Sequence, residues 1–288
     1  MTKLSAIILS KTSNASLFEM TKCCIESLIA AEQENKHIQI EIILIESDEK
    51  YLENGFSYGE NVKVLVPKIA FNFHRFLNIG CNAATGDFIA LCNNDLVFKR
   101  NWFSEILKVK ESNPQILSFS PYDPDCNRLA KAIIYKNAFV EGYEIQKQIT
   151  GWCFVVDRKI FKKIKKFDER FNFYYADNDY AMTLIKYNII NALVCNSLVV
   201  HLGGKVTEEI HKKNASFDIE KYKINNKKIP KYVIKNDMFW ILNDEKMVEG
   251  LIKFHEKWGS RKMIKLKLLI ISYLKKYKLG YLNKFILN

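Results

Sequence analysis

Four stretches of this 288-residue chain carry side chains whose types and spacing suit chemistry. Asp95 ends an apolar run and follows Asn93 and Asn94. Carboxylate and amide oxygens are hard ligands of the kind Mg²⁺ or Mn²⁺ prefer, and an ion held there would bridge the phosphates of a nucleotide. The same three residues also suit a plain strand-end turn. Asp177 and Asp179 follow Tyr174 and Tyr175 at the start of a helical pattern. Acids suit a helix N-terminus for dipole reasons alone. An aspartate aimed into a cleft can instead take the proton of a hydroxyl within hydrogen-bond reach. His201 closes the run Leu198-Val199-Val200 and precedes Leu202-Gly203-Gly204. It reads as a structural histidine, or as a ligand whose neighbouring glycines let backbone approach closely. Glu46 and Asp48 follow another apolar run, where they would bond a ribose or base or be solvated turn residues.

The elements that must position these residues alternate. Apolar runs at 4–9, 40–45, 62–66, 88–92 and 116–119 read as strands. Helical spacing is predicted between them, from Ser16 to about Glu34, over 71–84 and over 102–111. Ser16 and Glu19 have the separation of a capping box, with Ser16 as N-cap. A Pro/Asp loop, 121–125, follows the fifth run. Farther on, 154–156 and 192–200 read as strands, and 158–166 and 178–187 as helices. This rhythm predicts an α/β sheet of parallel strands covered on both faces, with ligands bound beyond the carboxyl ends of the strands. Ser10, Lys11, Glu46 to Asp48 and Asn93 to Asp95 all fall at such ends.

Composition narrows the class. The chain is 48% hydrophobic and 26% charged, with 11 Gly and 5 Pro, which excludes collagen-like and disordered chains. No apolar run approaches the length of a membrane span, and no cleavage site follows the start, so neither a spanning helix nor a signal peptide is expected. The seven cysteines include no C-x-x-C pair, which points away from a disulfide framework or zinc cluster and toward a reducing cytosol. The net charge of +12 is uneven: residues 1–204 hold 24 basic and 23 acidic residues, and residues 205–288 hold 20 and 9. A nucleic-acid footprint would mark the main fold as well, so no nucleic-acid partner is expected. In the C-terminal part, Lys262, Lys265, Lys267, Lys275, Lys276 and Lys278 interleave with apolar residues of 263–274. Such a helix either lies on an anionic membrane through residues 262–278 or packs on the main domain with its lysines solvated.

Seven blocks in order resemble the family-2 glycosyltransferases of the inverting type. They are the opening strand 5–10; Glu41 through Asp48; Asn78-Ile79-Gly80 through Thr85-Gly86-Asp87; Leu91-Cys92-Asn93-Asn94-Asp95; Gly151-Trp152-Cys153 through Phe167-Asp168-Glu169-Arg170-Phe171; Tyr175-Ala176-Asp177-Asn178-Asp179-Tyr180; and Val200-His201-Leu202-Gly203-Gly204. The resemblance covers residues 4 to about 204, with a fainter echo at Lys257-Trp258-Gly259. It departs from the family pattern at Lys11, at Glu46-Ser47-Asp48-Glu49, at Lys166 and at Ala176.

The resemblance implies a GT-A fold: a Rossmann-like, mostly parallel sheet flanked by helices. A catalytic domain over 1–204, with its nucleotide-sugar half about 1–100, is then followed by a lysine-rich helical extension over 205–288. It implies transfer of a sugar, with inversion, from a nucleotide-sugar donor (uridine-linked by family habit) to a hydroxyl of a glycan or lipid-linked acceptor. Asp177 would be the catalytic base. Asp95 and His201 would hold Mn²⁺ or Mg²⁺. Ser10, Lys11, Glu46, Asp48, Arg75 and Asn94 would bind the nucleotide. Gly151, Trp152, Tyr174 and Asp179 would meet the sugar or acceptor, although aromatic core packing is a rival role for Trp152 and Tyr174. The richness in Lys, Ile and Asn fits an AT-rich bacterium, and surface polysaccharide synthesis on the cytoplasmic side is the expected setting.

Two other classes compete. A nucleotidyltransferase would open with a Gly-rich phosphate loop, and Ser10–Ser16 contains no glycine. A non-catalytic membrane- or polyanion-binding protein on a degenerate transferase scaffold would fit Ala176 and the altered nucleotide side, but not the joint presence of Asp95, Asp177 and His201.

Overall fold

The computed structural model describes residues 1–203, 229–236, 238–242 and 244–288. The boundary expected at 204/205 and Gly204 of the last block lie outside the described residues. In chain order the elements of the first part are β1 (Thr2–Ser10), α1 (Ala15–Glu32), β2 (Ile38–Glu46), β3 (Val62–Leu65), α2 (Phe73–Ala83), β4 (Phe88–Asn93), β5 (Leu96–Phe98), α3 (Trp102–Ser112), β6 (Ile116–Tyr122), α4 (Lys131–Lys136), β7 (Phe139–Glu141), β8 (Cys153–Asp157), α5 (Phe161–Ile164), α6 (Ala176–Lys186) and β9 (Ile190–His201). They are followed by α7 (Lys231–Lys235), α8 (Phe239–Leu242), α9 (Glu245–Trp258), α10 (Arg261–Lys276) and α11 (Asn283–Ile286).

The strands form one sheet in the order β3-β2-β1-β4-β8-β6-β9-β5, with β7 also on β9. Alternate side chains of β1 leave by opposite faces, as the period of a strand requires. Leu4, Ala6 and Ile8 join α1 and α3 in one core layer, and Ile7 and Leu9 join α2 and α6 in the other. Two-sided burial explains why β1 reads as an unbroken apolar run. Gly80 lets α2 lie on β1: a Cβ there would come within 2.4 Å of Ile7.

The α/β class and the helix-flanked Rossmann-like sheet agree with the sequence reading. The pairing is less uniform. β1, β2, β3 and β4 are mutually parallel, whereas β8 is antiparallel to both its neighbours and β5 and β7 are antiparallel to β9. Only β6 and β9 continue the parallel sense. β5 and β7 have three residues each, too short to show periodicity, and neither is expected from the apolar pattern.

Local capping also differs. The N-cap of α1 is Asn14, whose side chain accepts from Leu17 N, and not Ser16. An Asn at that place bonds an orphan amide of the first turn, so the helix starts a residue before Ser16. Residues 158–166 do not make one helix. They form a 3-10 turn and the short α5, which ends at Lys165 with a left-handed φ of 62°. Pro121 and Tyr122 belong to β6 and not to a loop.

Candidate functional site

The carboxyl ends of β1, β2 and β4 meet along one edge of the sheet. Two antiparallel pairings bring distant residues to that edge. β8 pairs Cys153 with Cys92, and the next residue on each side continues the ladder, Asn93 N donating to Trp152 O at 2.9 Å. β9 shifts register near its end, after which its last residues pair with β5, Leu96 opposite His201. Asp95 and His201, 106 positions apart in sequence, therefore stand side by side: Nε2 of His201 lies 3.2 Å from Oδ2 of Asp95.

Asp95 is buried, and its Oδ1 has no hydrogen-bond partner among the described residues. A buried carboxylate oxygen without a donor is costly unless a ligand completes it. The donor set is one carboxylate and one imidazole. Among the described residues no group of three His, Cys, Asp or Glu converges. One carboxylate and one imidazole suit Mg²⁺ or Mn²⁺, which are commonly held by one or two protein groups while substrate phosphates and water supply the rest. The residues present fit the ion.

The Trp152 indole stacks on the His201 ring, with centroids 5.6 Å apart and planes within 11°. Beside it, Gly151 faces Asp177: a Cβ on Gly151 would lie 3.0 Å from Asp177 Oδ2 and 3.3 Å from its Cβ. Asp95, His201, Trp152, Gly151 and Asp177 are thus linked contact by contact into one wall. Asp177 lies in the first turn of α6, which enters through Tyr175 at a left-handed φ of 64°. Its Oδ1 accepts from Asn178 N at 2.8 Å. No cation pairs with it among the described residues. Burial pushes its carboxyl above the ordinary range, against the lowering effect of the Asn178 amide. A raised pKa makes a carboxylate a stronger base.

Other expected site residues take different places. Glu46 is fully buried and accepts from Thr12 N (3.0 Å), Thr12 Oγ1 (2.6 Å) and Asp48 N (2.7 Å). Its carboxylate ties the ends of β1 and β2 together; the role expected for it, direct contact with a nucleoside, is not the one these bonds serve. Ser10 and Asn94 join the same layer. Asn94 Nδ2 donates to Thr21 Oγ1, which stands 3.2 Å from Ser10 Oγ, and Ser10 Oγ stands 3.0 Å from Thr12 Oγ1. Tyr58 closes the network on Thr12 at 2.7 Å. Lys11 is exposed and Asp48 partly so, and both border this edge.

Arg75 and Asp179 lie apart from this wall. Arg75 Nε pairs with Glu169 at 3.2 Å. α2 is fastened to the segment 167–172 by Asn78 on Phe167 O and by His74 on Asp168 O, so Arg75 lines a separate cavity of about 530 Å³ to which neither Asp95 nor Asp177 contributes. The acids of that cavity are cross-paired with its lysines and arginines, which marks it as a structural junction. Asp179 sits there too. Its Oδ1 receives Lys257 Nζ at 2.7 Å and Trp258 Nε1 at 2.8 Å. These bonds fasten α9 to α6. Tyr174 donates its hydroxyl to Asp244 Oδ2 at 2.9 Å, so its polar end is also fixed by the C-terminal helices.

Sequence reasoning missed three participants. Asp123 Oδ2 accepts from His201 N at 2.8 Å and holds the end of β9. Thr12 and Tyr58 complete the Glu46 cradle. Asp123 lay in a stretch read as a Pro/Asp loop, and only the position of β9 gives it meaning.

With this geometry in place, comparison with known proteins decides the family. The pattern of glycosyl transferase family 2 matches residues 8–169, more than half of the chain. The chain belongs to glycosyl transferase family 2. The matched segment contains Glu46, Asp95, Gly151 and Trp152 and ends before Asp177 and His201. This family-2 chain matches no curated protein in sequence. Among solved structures it is similar in fold to the crystal structure of GalNAc-T7 with UDP, GalNAc and Mn²⁺, with a TM-score of 0.56 at 14% identity. That likeness covers 98% of this chain and 59% of the other, so the family-2 chain spans well under two thirds of that protein.

Proposed function

We propose that this family-2 chain transfers a sugar, with inversion, from a uridine diphosphate-linked donor to a hydroxyl of a glycan or lipid-linked acceptor. The observation that carries the reading is the continuous wall from Asp95 through His201, Trp152 and Gly151 to Asp177. It sets a divalent-ion ligand pair at one end and an uncompensated carboxylate at the other, with an indole face between them. The solved relative in fold holds UDP, GalNAc and Mn²⁺, which supports this choice of nucleotide and metal.

Asp95 Oδ1 and His201 Nε2 would hold the ion. When bound, Mn²⁺ or Mg²⁺ supplies positive charge against a departing diphosphate. Asp123 fixes the backbone of His201, and Trp152 fixes its ring by stacking. Asp177 takes the acceptor hydroxyl proton on its carboxylate as the oxygen attacks the anomeric carbon. A single displacement leaves no covalent intermediate, so configuration inverts. Ser10, Asn94 and the Glu46 cradle set the edge against which the nucleotide lies, with Lys11 and Asp48 at its rim. The setting of this proposal is surface polysaccharide synthesis, capsule or lipooligosaccharide, on the cytoplasmic side of a bacterial membrane.

Calorimetric titration with UDP tests the donor end. Binding that requires Mn²⁺ and falls about a hundredfold in Asp95→Ala is expected, from the several kcal/mol such an ion supplies. UDP binding that ignores both metal and substitution would remove Asp95 from this role.

A further inference from the structure

α10 (Arg261–Lys276) meets the rest of the protein along one side only. Ile271 is buried with Met182, Trp258 and Leu287, and Ile264 and Leu268 pack against them. These positions recur at helical spacing and form the stripe expected of a helix docked on a domain. The opposite side is not polar. Met263, Leu266, Leu269, Ile270, Tyr273 and Tyr277 are each between 42% and 67% exposed. Met263, Leu266, Ile270, Tyr273 and Tyr277 follow steps of three and four, so they form a second apolar stripe, unpartnered among the described residues. Tyr281 and Phe285, on the segment that folds back against α10, are exposed as well.

Charge indicates what covers this stripe. α10 carries Arg261, Lys262, Lys265, Lys267, Lys275 and Lys276 and no acid. Lys262, Lys265 and Lys276 are exposed and form no ion pair with an acid among the described residues. A stripe of Leu, Ile, Met and Tyr edged by unpaired lysines complements a surface that is apolar just below a layer of negative charge. Tyrosine in particular favours that boundary. Among the described residues no helix is long and apolar enough to cross a membrane, so the contact is lateral.

We propose that the outward face of α10 docks on a bilayer containing anionic phospholipid. Met263, Leu266, Leu269, Ile270, Tyr273 and Tyr277 enter the headgroup boundary, while Lys262, Lys265 and Lys276 meet the phosphates. The sequence offered a choice between membrane helix and packed helix; the two faces of α10 do one task each. This inference is independent of sugar transfer and stands or falls without it.

Vesicle sedimentation of the whole chain tests it. The probes are phosphatidylcholine vesicles, alone and with about one third phosphatidylglycerol. Binding is expected only with phosphatidylglycerol, and it weakens as salt rises. Lys262→Glu and Lys265→Glu each lower it about fivefold or more, the equivalent of one surface lysine's attraction to anionic lipid. Leu266→Ser with Tyr273→Ser, both on exposed positions, lowers binding further while the melting curve is unchanged. Three results would overturn the proposal. The first is no sedimentation with either vesicle. The second is binding that the Leu266→Ser, Tyr273→Ser pair leaves intact, which would be charge attraction without docking. The third is a dimer in solution that the same pair dissociates, which would make a second copy the occupant.

Discussion

Acids in this protein stand in two kinds of setting, bonded and unbonded. In the cradle under β1 and β2, Glu46 has both oxygens engaged by Thr12 and Asp48. In the junction with α9, Asp179 and Asp168 share Lys257. Asp168 shows what such pairing does: burial would raise its pKa, but Arg170 and Lys257 outweigh it and hold the carboxyl well below the usual range. The wall between these regions differs. Among the described residues, Asp95 keeps an oxygen with no donor, and Asp177 is pushed upward by burial with no cation paired to it. Asp177 and Asp179 are two residues apart on one helix; burial raises the carboxyl of both, but Asp179 receives Lys257 and Trp258, and among the described residues no cation pairs with Asp177. Bonded acids hold the edge in shape, and the proposed function assigns the unsatisfied ones to a ligand.

Four experiments break or sharpen that contrast. The largest effect belongs to Asp177→Asn. Turnover should fall about a thousandfold, the usual contribution of a general base, with Mn²⁺-dependent UDP affinity unchanged by calorimetry. Full activity in this variant would place the base elsewhere.

Glu46→Ala should act mainly on stability. It strips three hydrogen bonds from a buried carboxylate site, and an unfolding free energy lower by about 3 kcal/mol is expected from denaturant titration. A stable Glu46→Ala protein that no longer binds UDP would reverse the assignment and make Glu46 a nucleotide ligand.

Gly151→Ala probes the seat of Asp177. The added methyl lies 3.0 Å from Asp177 Oδ2, so the carboxylate must shift by a few tenths of an ångström. Loss of about tenfold in kcat is expected with KM for the donor retained, since small displacements at a reacting group are costly.

The smallest effect concerns pH. Asp177 has a raised pKa in the folded protein, so its ionised form opposes folding at neutral pH, and the opposition vanishes below the ordinary carboxyl value of 3.8. Asp177→Asn should therefore raise Tm by about 2 °C at pH 7, with the gain shrinking as pH falls toward that value. For the same reason the acid limb of kcat/KM in the wild type should lie above the ordinary aspartate range. An unchanged Tm at pH 7 would mean that Asp177 is better solvated than its surroundings suggest.

Much of this was legible in the chain, for a local reason. The run Leu4–Leu9 reads as a buried strand, and the alternation that follows it predicts an α/β sheet. Asn93-Asn94-Asp95 falls at a strand end because apolar residues stop there, and ligands gather at such ends whatever the details of the fold. Asp177 was visible because acids, tyrosines and a helix start coincide. In the C-terminal part, lysine richness and amphipathic spacing are properties of sequence alone, and they left open whether the helix lies on a membrane or packs on the domain.

Tertiary structure decided which of these residues meet. His201 reaches Asp95 through β5, a strand of three residues whose existence depends on the bent end of β9. Trp152 reaches Asn93 through an antiparallel insertion that no local pattern announces. Asp177 and Asp179 are the same residue type in the same turn, and only the arrival of Lys257 and Trp258 from 78 or more residues away separates them. Periodicity reports which face of an element is apolar. The partner of a polar atom depends on strand register and on chain that returns from far away, and both are set by packing of the whole molecule.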